Sequence, residues 1–184
     1  MDEISADLRR YYDGEAAARA ARAVDPVRAR WRNEFVELLQ SEDRTSVVEV
    51  GCGPGRDAPA LAEAGLDVTG LDLSLGALRL TAAGGTRAVQ ASLYHPPFRE
   101  GSVVACWTMS TLVHVPDARF DEAMTALVAM LAPGAPMAIG LWGGVDDAGP
   151  RDVGRDRPPD APVRFFSRRG HDRVHDMLAA HGDL

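Results

Sequence analysis

The chain has 184 residues, 46% of them hydrophobic and 26% charged, with a formal net charge of −7. That length accommodates one domain whose core needs no covalent staples, and the apolar share excludes wholesale disorder. No apolar run reaches the roughly 20 residues of a membrane-spanning helix. The charged start, MDEISADLRRYYD, has no signal-peptide core, and two cysteines, Cys52 and Cys106, cannot build a disulfide framework or by themselves a four-ligand zinc site. A reduced, cytoplasmic setting is expected.

All 20 basic residues are arginine. Arg9, Arg10, Arg19, Arg22, Arg28, Arg30 and Arg32 crowd the first segment, with Glu15, Asp25, Glu34 and Glu37 interspersed. This pattern predicts a solvated helical surface rather than a nucleic-acid patch, and an acidic domain repels polyanions at long range. Neither nucleic acid nor membrane is expected as a partner.

Helix is predicted over the first forty residues, where alanines precede a second stretch starting at Pro26 with Trp31, Phe35, Leu38 and Leu39 at helical spacing. Val47 to Val50 predicts a buried strand before Gly51. A helix from about Asp57 to Ala64 closes at Gly65. Asp67 to Leu71 predicts a second strand, and Ser74 supplies the N-cap of a helix to about Ala83. Weaker signals give strands over about 86–91 and 103–108. Phe120, Ala123, Met124, Leu127, Val128 and Leu131 make one apolar face of a helix over about 118–131. Pro136 to Trp142 predicts a fifth strand, 143–162 a long surface loop rich in Gly, Pro, Asp and Arg, and Ser167 the cap of a last helix ending near Ala180. Strand and helix alternate, which predicts an α/β fold with a parallel, doubly wound sheet covered on both faces. Ligands of such sheets bind at the carboxyl ends of the central strands.

The chemistry concentrates in Glu49-Val50-Gly51-Cys52-Gly53-Pro54-Gly55-Arg56-Asp57. Three glycines allow a tight turn where side chains would collide with a ligand, and the following helix aims its amide N–H groups there. A nucleotide phosphate and an amino-acid carboxylate both suit such a place. Glu49 repels a pyrophosphate and attracts an ammonium group. Asp72, about 20 residues beyond Gly51, can accept hydrogen bonds from both hydroxyls of a ribose. Ribose, ammonium and carboxylate without phosphate describe S-adenosylmethionine.

At this point the sequence resembles the class I S-adenosylmethionine-dependent methyltransferases, in particular the small-molecule group of type 11 or 25. The matching blocks are EVGCGPGRD (49–57), VTGLDLS (68–74), PPFREGSV (96–103), STLVHVPD (110–117), LAPGAPMAIGLW (131–142) and RFFSRRGHD (164–172), in the same order as in the family. The resemblance implies a Rossmann-like, mostly parallel sheet of order 3-2-1-4-5 in one methyltransferase domain over 1–184. It also implies an N-terminal helical lid over about 1–42, transfer of a methyl group to a small-molecule acceptor, and S-adenosyl-L-homocysteine as product. By position it assigns Glu49, Val50, Gly51, Cys52, Gly53, Pro54 and Gly55 to the methionine part of the cofactor, and Asp72 and Leu73 to ribose and adenine. Ser92 and Leu93 fall at the adenine edge, where an acid is usual in place of Ser92, so weaker cofactor binding is expected. Thr108 falls at the end of the fourth strand, on the same sheet edge.

His114, after the fourth strand, is the candidate general base, and a histidine that hydrogen-bonds the backbone at a helix start is its alternative. Tyr11 and Tyr12 either fold over the cofactor or pack their helix on the core, and Trp142 either lines the acceptor pocket or packs in the core or at the rim. Trp107 has the same two readings. Cys52 serves as a small side chain in the loop. His171 and His175 share a helical face without a third ligand, so no metal is expected. Family members add two strands after the last helix. The sequence reaches Gly182-Asp183-Leu184 where the first is due, so the sheet is expected to lack both. Its open fifth strand is then covered by the 143–162 loop or by a second subunit in a homodimer. Two other functions fit parts of the pattern: a degenerate methyltransferase-like binding module without turnover, and an NAD-dependent dehydrogenase.

Overall fold

The structure, a computed structural model, describes residues 2–151 and 162–183. Two helices lead, α1 (Glu3–Ala20) and α2 (Pro26–Ser41), each started by an aspartate whose carboxylate accepts a backbone N–H. Asp2 takes Ser5 N at 2.8 Å and Asp25 takes Val27 N at 2.8 Å. Then β1 (Ser46–Val50), α3 (Ala58–Glu63), β2 (Asp67–Asp72), α4 (Leu75–Ala83) and β3 (Arg87–Gln90) form one wing of the sheet. The other wing is β4 (Cys106–Met109), α5 (Phe120–Met130) and β5 (Met137–Gly140). All five strands run parallel in the order β3-β2-β1-β4-β5. The predicted α/β doubly wound fold is the one observed.

Alternation along β1 and β4 splits the core between the two faces of the sheet. Val48, Val50 and Cys106 pack with Leu112, Phe120, Met124 and Leu127 beneath α5. Val47, Trp107 and Met109 pack with Phe35, Leu39 and Leu61 beneath α2 and α3. Trp107 is fully buried here, in the core position that is one of its readings. The order reverses between β1 and β4, so their carboxyl ends diverge and leave a crevice.

Three expectations change after β5. Residues 147–151 are strand β6 (Asp147–Arg151), not loop, and residues 164–168 are strand β7 (Arg164–Arg168). The two pair antiparallel as a separate sheet. Ser167 therefore caps nothing; its hydroxyl donates to Asp117 Oδ1 at 2.8 Å. The last helix, α6 (His171–Ala179), starts after Gly170 without a side-chain cap. The small sheet docks through Arg169, almost wholly buried. Its guanidinium holds Asp117 Oδ1 at 2.8 Å and the Val115 carbonyl at 2.6 Å, over the Phe120 ring. Among the described residues β5 pairs only with β4, and β6 does not pair with its outer edge. The rest of the predicted loop, 152–161, lies outside the described residues. No described helix is long and apolar enough to cross a membrane.

Candidate active site

A cavity of about 210 Å³ opens at the carboxyl ends of β1, β2 and β4. Its floor is the glycine loop. The N–H groups of Gly51 and Cys52 both donate to Leu71 O, at 2.7 and 3.1 Å, which folds the loop back onto β2. Gly51 has φ +72°, and a Cβ there would sit 1.9 Å from Thr111 Oγ1, so only glycine fits. Gly53 faces open space. Val50, Gly51, Cys52, Gly53 and Pro54 line the cavity; Gly55 does not, because it turns beneath Thr81. Cys52 is buried and its thiol is pushed upward by burial, so it stays protonated and inert.

Two carboxylates flank the loop, in different environments. Asp72 lines the cavity and uses one oxygen for Gly53 N–H and the other for Ser74 N–H, both at 2.8 Å. Burial raises its pKa against the pull of these bonds. Glu49 lies behind the loop, 1% exposed, and neither of its oxygens has a hydrogen-bond partner among the described residues. The nearest cation is Arg28, 3.9 Å away. Burial first, then the Asp57 charge, pushes Glu49 up to about 8. A buried carboxylate with both oxygens unused is strongly biased toward accepting a cationic donor.

Arg28 is held there by Asp57, fully buried, which also takes Arg32 Nη1 at 3.0 Å and Trp107 Nε1 at 2.9 Å. Arginines predicted on a solvated face thus penetrate the site. Arg19 and Arg28 line the cavity, as does Arg56 from the loop side.

Helix α1 lines the cavity along its length with Ile4, Ser5, Leu8, Tyr12 and Arg19, and Leu73, Ser92 and Leu93 share the lining. Asp13 fixes this pose by accepting from Ser74 Oγ at 2.7 Å and Gly76 N at 2.8 Å, a carboxylate placed at the N-terminus of α4. Tyr12 faces the cavity; Tyr11 does not, being buried with the Arg164 guanidinium 4.3 Å from its ring centre.

His114 lies in a 3-10 turn over Leu112–His114 and lines the cavity. Its Nδ1 is 2.7 Å from Phe165 O, which requires a proton on Nδ1, and its Nε2 is 2.7 Å from Tyr12 Oη. With the ring neutral the tyrosine donates to Nε2, and Arg164 Nη1 donates to Tyr12 Oη at 3.3 Å. Burial, aided by the Arg164 and Arg19 charges and opposed by the Phe165 carbonyl, pushes the imidazole down to about 4. The backbone-bonded alternative for His114 describes this geometry.

Thr108 points into the core and does not reach the cavity; Met109, Ser110 and Thr111 do, because β4 runs one residue further than predicted. Ser110 adopts φ +60°, and its hydroxyl accepts from Trp142 Nε1 at 3.1 Å. Trp142 lines the cavity and stacks on Phe166, with 5.5 Å between ring centres. Among the described residues no three His, Cys, Asp or Glu side chains come together to hold a metal. The sequence did not reveal Arg19, Arg56 or Thr111. The one available signal was Arg56, inside the glycine-loop block.

Residues 47–134 match a family of methyltransferase domains. The ubiquinone biosynthesis O-methyltransferase of Bordetella avium (strain 197N) is 32% identical over 143 residues, covering 73% of this chain and 56% of that protein. The O-methyltransferase rstn1 of Aspergillus nomiae is 30% identical over 119 residues, covering 60% of this chain and 52% of that protein. This chain spans about half the length of these curated relatives. Among solved structures, the DhpI-SAM-HEP complex superposes with a TM-score of 0.74 at 20% identity, covering 98% of this chain and 89% of that one. The 1,6-didemethyltoxoflavin-N1-methyltransferase of Burkholderia thailandensis gives 0.69 at 20% identity, covering 97% and 77%. At that identity the structural likeness speaks for the fold, and the matched sequence blocks carry the family. Residues 47–134 therefore belong to the S-adenosylmethionine-dependent methyltransferase domains.

Proposed function

We propose that this chain binds S-adenosylmethionine in the cavity and transfers its methyl group to an oxygen atom of a small molecule, releasing S-adenosylhomocysteine. The observation that carries this reading is the buried Glu49 carboxylate, without a hydrogen-bond partner among the described residues, behind a loop whose other acid, Asp72, faces the cavity. The residues fit the cofactor. Glu49 suits its ammonium group, directly or through water. Asp72 keeps a lone pair on each oxygen for the ribose hydroxyls after its two backbone bonds. Leu73 and Leu93 offer apolar contact to the adenine, and Ser92 a neutral hydroxyl at its edge. Gly53 leaves open space for close approach.

Bound S-adenosylmethionine supplies an electrophilic methyl carbon on a sulfonium. The chain's own contribution is positioning and exclusion of water. In this reading residues 1–42 form a lid on a single domain, with Tyr12 and Trp142 at the acceptor end. His114 positions Tyr12, because its one acceptor nitrogen is engaged. The O-methyltransferase names of the relatives favour oxygen as the acceptor atom. The test is calorimetry with S-adenosylhomocysteine and, separately, NAD. Binding of the first alone is expected, followed by a 14-mass-unit gain in an acceptor from a metabolite panel. Tighter binding of NAD, or of neither, would overturn the reading.

A further inference from the structure

Three arginines line the cavity, Arg19 from α1, Arg28 from α2 and Arg56 beyond the glycine loop, and the first two are close enough for their charges to act on the third. Arg28 is matched by Asp57, whose carboxylate it shares with Arg32. Among the described residues neither Arg19 nor Arg56 forms an ion pair of that kind, although the Asp57 charge acts on Arg56. Glu15, on the same helix as Arg19, pairs with Arg22, and Arg56 Nη2 reaches only the Ala23 carbonyl at 2.5 Å. The Nε atoms of both Arg19 and Arg56 are buried without a hydrogen-bond partner among the described residues. The Arg19 guanidinium lies 4.5 Å above the Tyr12 ring, which places it beside the Tyr12–His114 pair. Burial, then the Arg28 charge and behind it those of Arg19 and Arg22, hold Arg56 below the ordinary guanidinium range against the opposing pull of Asp57. Asp57 already serves Arg28 and Arg32, so positive charge exceeds negative charge here among the described residues.

The cofactor alone does not balance it. Its amino-acid end brings one carboxylate and one ammonium, and its sulfonium adds a further positive charge. One carboxylate offsets one guanidinium at most. A neutral acceptor would leave a half-buried site carrying at least one guanidinium without a counter-charge, an arrangement that burial penalises.

Proton bookkeeping in the same cavity points the same way. A hydroxyl acceptor must lose a proton on attack, and the groups lining the cavity do not provide a free base. His114 Nδ1–H is spent on Phe165 O and Nε2 on Tyr12. The lone pairs that Asp72 keeps after its two backbone bonds face the ribose hydroxyls in this reading, and Glu49 lies behind the loop. An acceptor that is already an oxyanion needs none of them.

We infer that the acceptor is the anion of an oxyacid, a carboxylate or a phosphate, seated on Arg19 and Arg56 beside Tyr12, and that its charged oxygen itself takes the methyl group. The inference rests on the methyltransferase reading and names its substrate class. An acceptor oxygen forms the new C–O bond as the methyl C–S bond breaks and its electron pair returns to sulfur. The anion and the sulfonium neutralise each other, so the products are an ester and a thioether, with no proton released. Methylation of an alcohol would release one.

The test uses the full chain saturated with S-adenosylhomocysteine, whose binding is measured first. Acetate and inorganic phosphate are then titrated at constant ionic strength, with acetamide as the neutral counterpart, and the thermal midpoint is followed. At least one oxyanion raises the midpoint and acetamide does not; which of the two acts distinguishes the carboxylate from the phosphate class. Arg19→Gln weakens that oxyanion by about tenfold or more, the loss of one charge-assisted contact, while S-adenosylhomocysteine affinity stays within about threefold. Arg19→Lys restores part of the oxyanion affinity. If the loaded wild-type protein treats the oxyanions and acetamide alike, or Arg19→Gln binds them as tightly, the assignment falls and the methyltransferase reading stands. Failure of the wild-type protein to bind S-adenosylhomocysteine at all overturns both.

Discussion

Tyr12 Oη lies 2.7 Å from His114 Nε2, although 102 positions separate the two residues in the chain. Because His114 Nδ1 faces the Phe165 carbonyl at 2.7 Å, the pair links three segments in series: α1, the turn after β4, and β7. Helix α1 is therefore fastened to β7 by two consecutive hydrogen bonds. Arg164, over the rings of Tyr11 and Phe166, supports the same junction.

This junction makes the protein acid-sensitive in a definite direction. His114 sits at about 4 in the fold against an ordinary 6.5. Between those values the unfolded chain binds the proton and the folded one does not, so this contribution is full above about pH 6.5 and is lost as the pH falls toward 4. The shift corresponds to about 3 kcal/mol at most. Urea unfolding at pH 7.5, 6 and 5 is expected to show a steeper loss for the wild-type protein than for His114→Gln. Parallel pH dependences would remove His114 as the source.

Glu49 works in the opposite sense. Its pKa rises from 4.5 to about 8, so the fold keeps a proton that the unfolded chain has released, and stability falls as the pH climbs through that window. Glu49→Gln is expected to raise the thermal midpoint of the ligand-free protein at pH 8.5 by at least about 2–4 °C, the shift that about 1 kcal/mol produces in a chain of this size. The same variant should bind S-adenosylhomocysteine about tenfold more weakly or worse, since a neutral amide loses the charge-assisted contact to the ammonium. Near pH 7, binding to the wild-type protein should also release a proton, seen as calorimetric heats that vary with the buffer. A variant both less stable and fully competent in binding would contradict this account.

The sheet was readable from the sequence because β1, β2 and α5 carry patterns that only a buried parallel strand or a one-sided helix needs, as Val47–Val50 and Phe120–Leu127 show. The hairpin of β6 and β7 was not. Asp147-Ala148-Gly149-Pro150-Arg151 has no β-branched or aromatic residue and is a strand only because it pairs with β7. Ser167 looked like a helix cap, since a hydroxyl ahead of a polar helical run is the usual cap; here Asp117, fifty residues back, takes it. In the site, the glycine loop and Asp72 followed from local spacing. Arg28 and Arg32 did not, because what takes them off the surface is Asp57, a carboxylate from another element, and helical spacing carries no information about such a partner.

Asp57 is accordingly expected to matter more for stability than its place before a short helix suggests. It makes no cap; it accepts from two guanidinium groups and from the indole N–H of a fully buried tryptophan. Asp57→Ala leaves both cations and the indole donor unpaired, a loss of about 3–5 kcal/mol. Urea unfolding followed by tryptophan fluorescence reads both the stability and the Trp107 environment. A loss under about 1 kcal/mol would mean that solvent replaces the carboxylate and that the cluster is not structural.

Gly51→Ala tests the tightest glycine position among the described residues. The added methyl group would meet Thr111 Oγ1 at 1.9 Å, and that hydroxyl is already committed to the Val50 carbonyl at 3.1 Å. Left-handed backbone at φ +72° costs a non-glycine residue about 1–2 kcal/mol, and displacing Thr111 adds about 1–3 kcal/mol of overpacking. Thr111→Ser removes the methyl group of that side chain and keeps its hydroxyl. The double variant Gly51→Ala/Thr111→Ser should therefore regain part of the overpacking loss and none of the backbone strain. Equal stability of the single and double variants would show that φ alone demands glycine at this position, with Thr111 free to move aside.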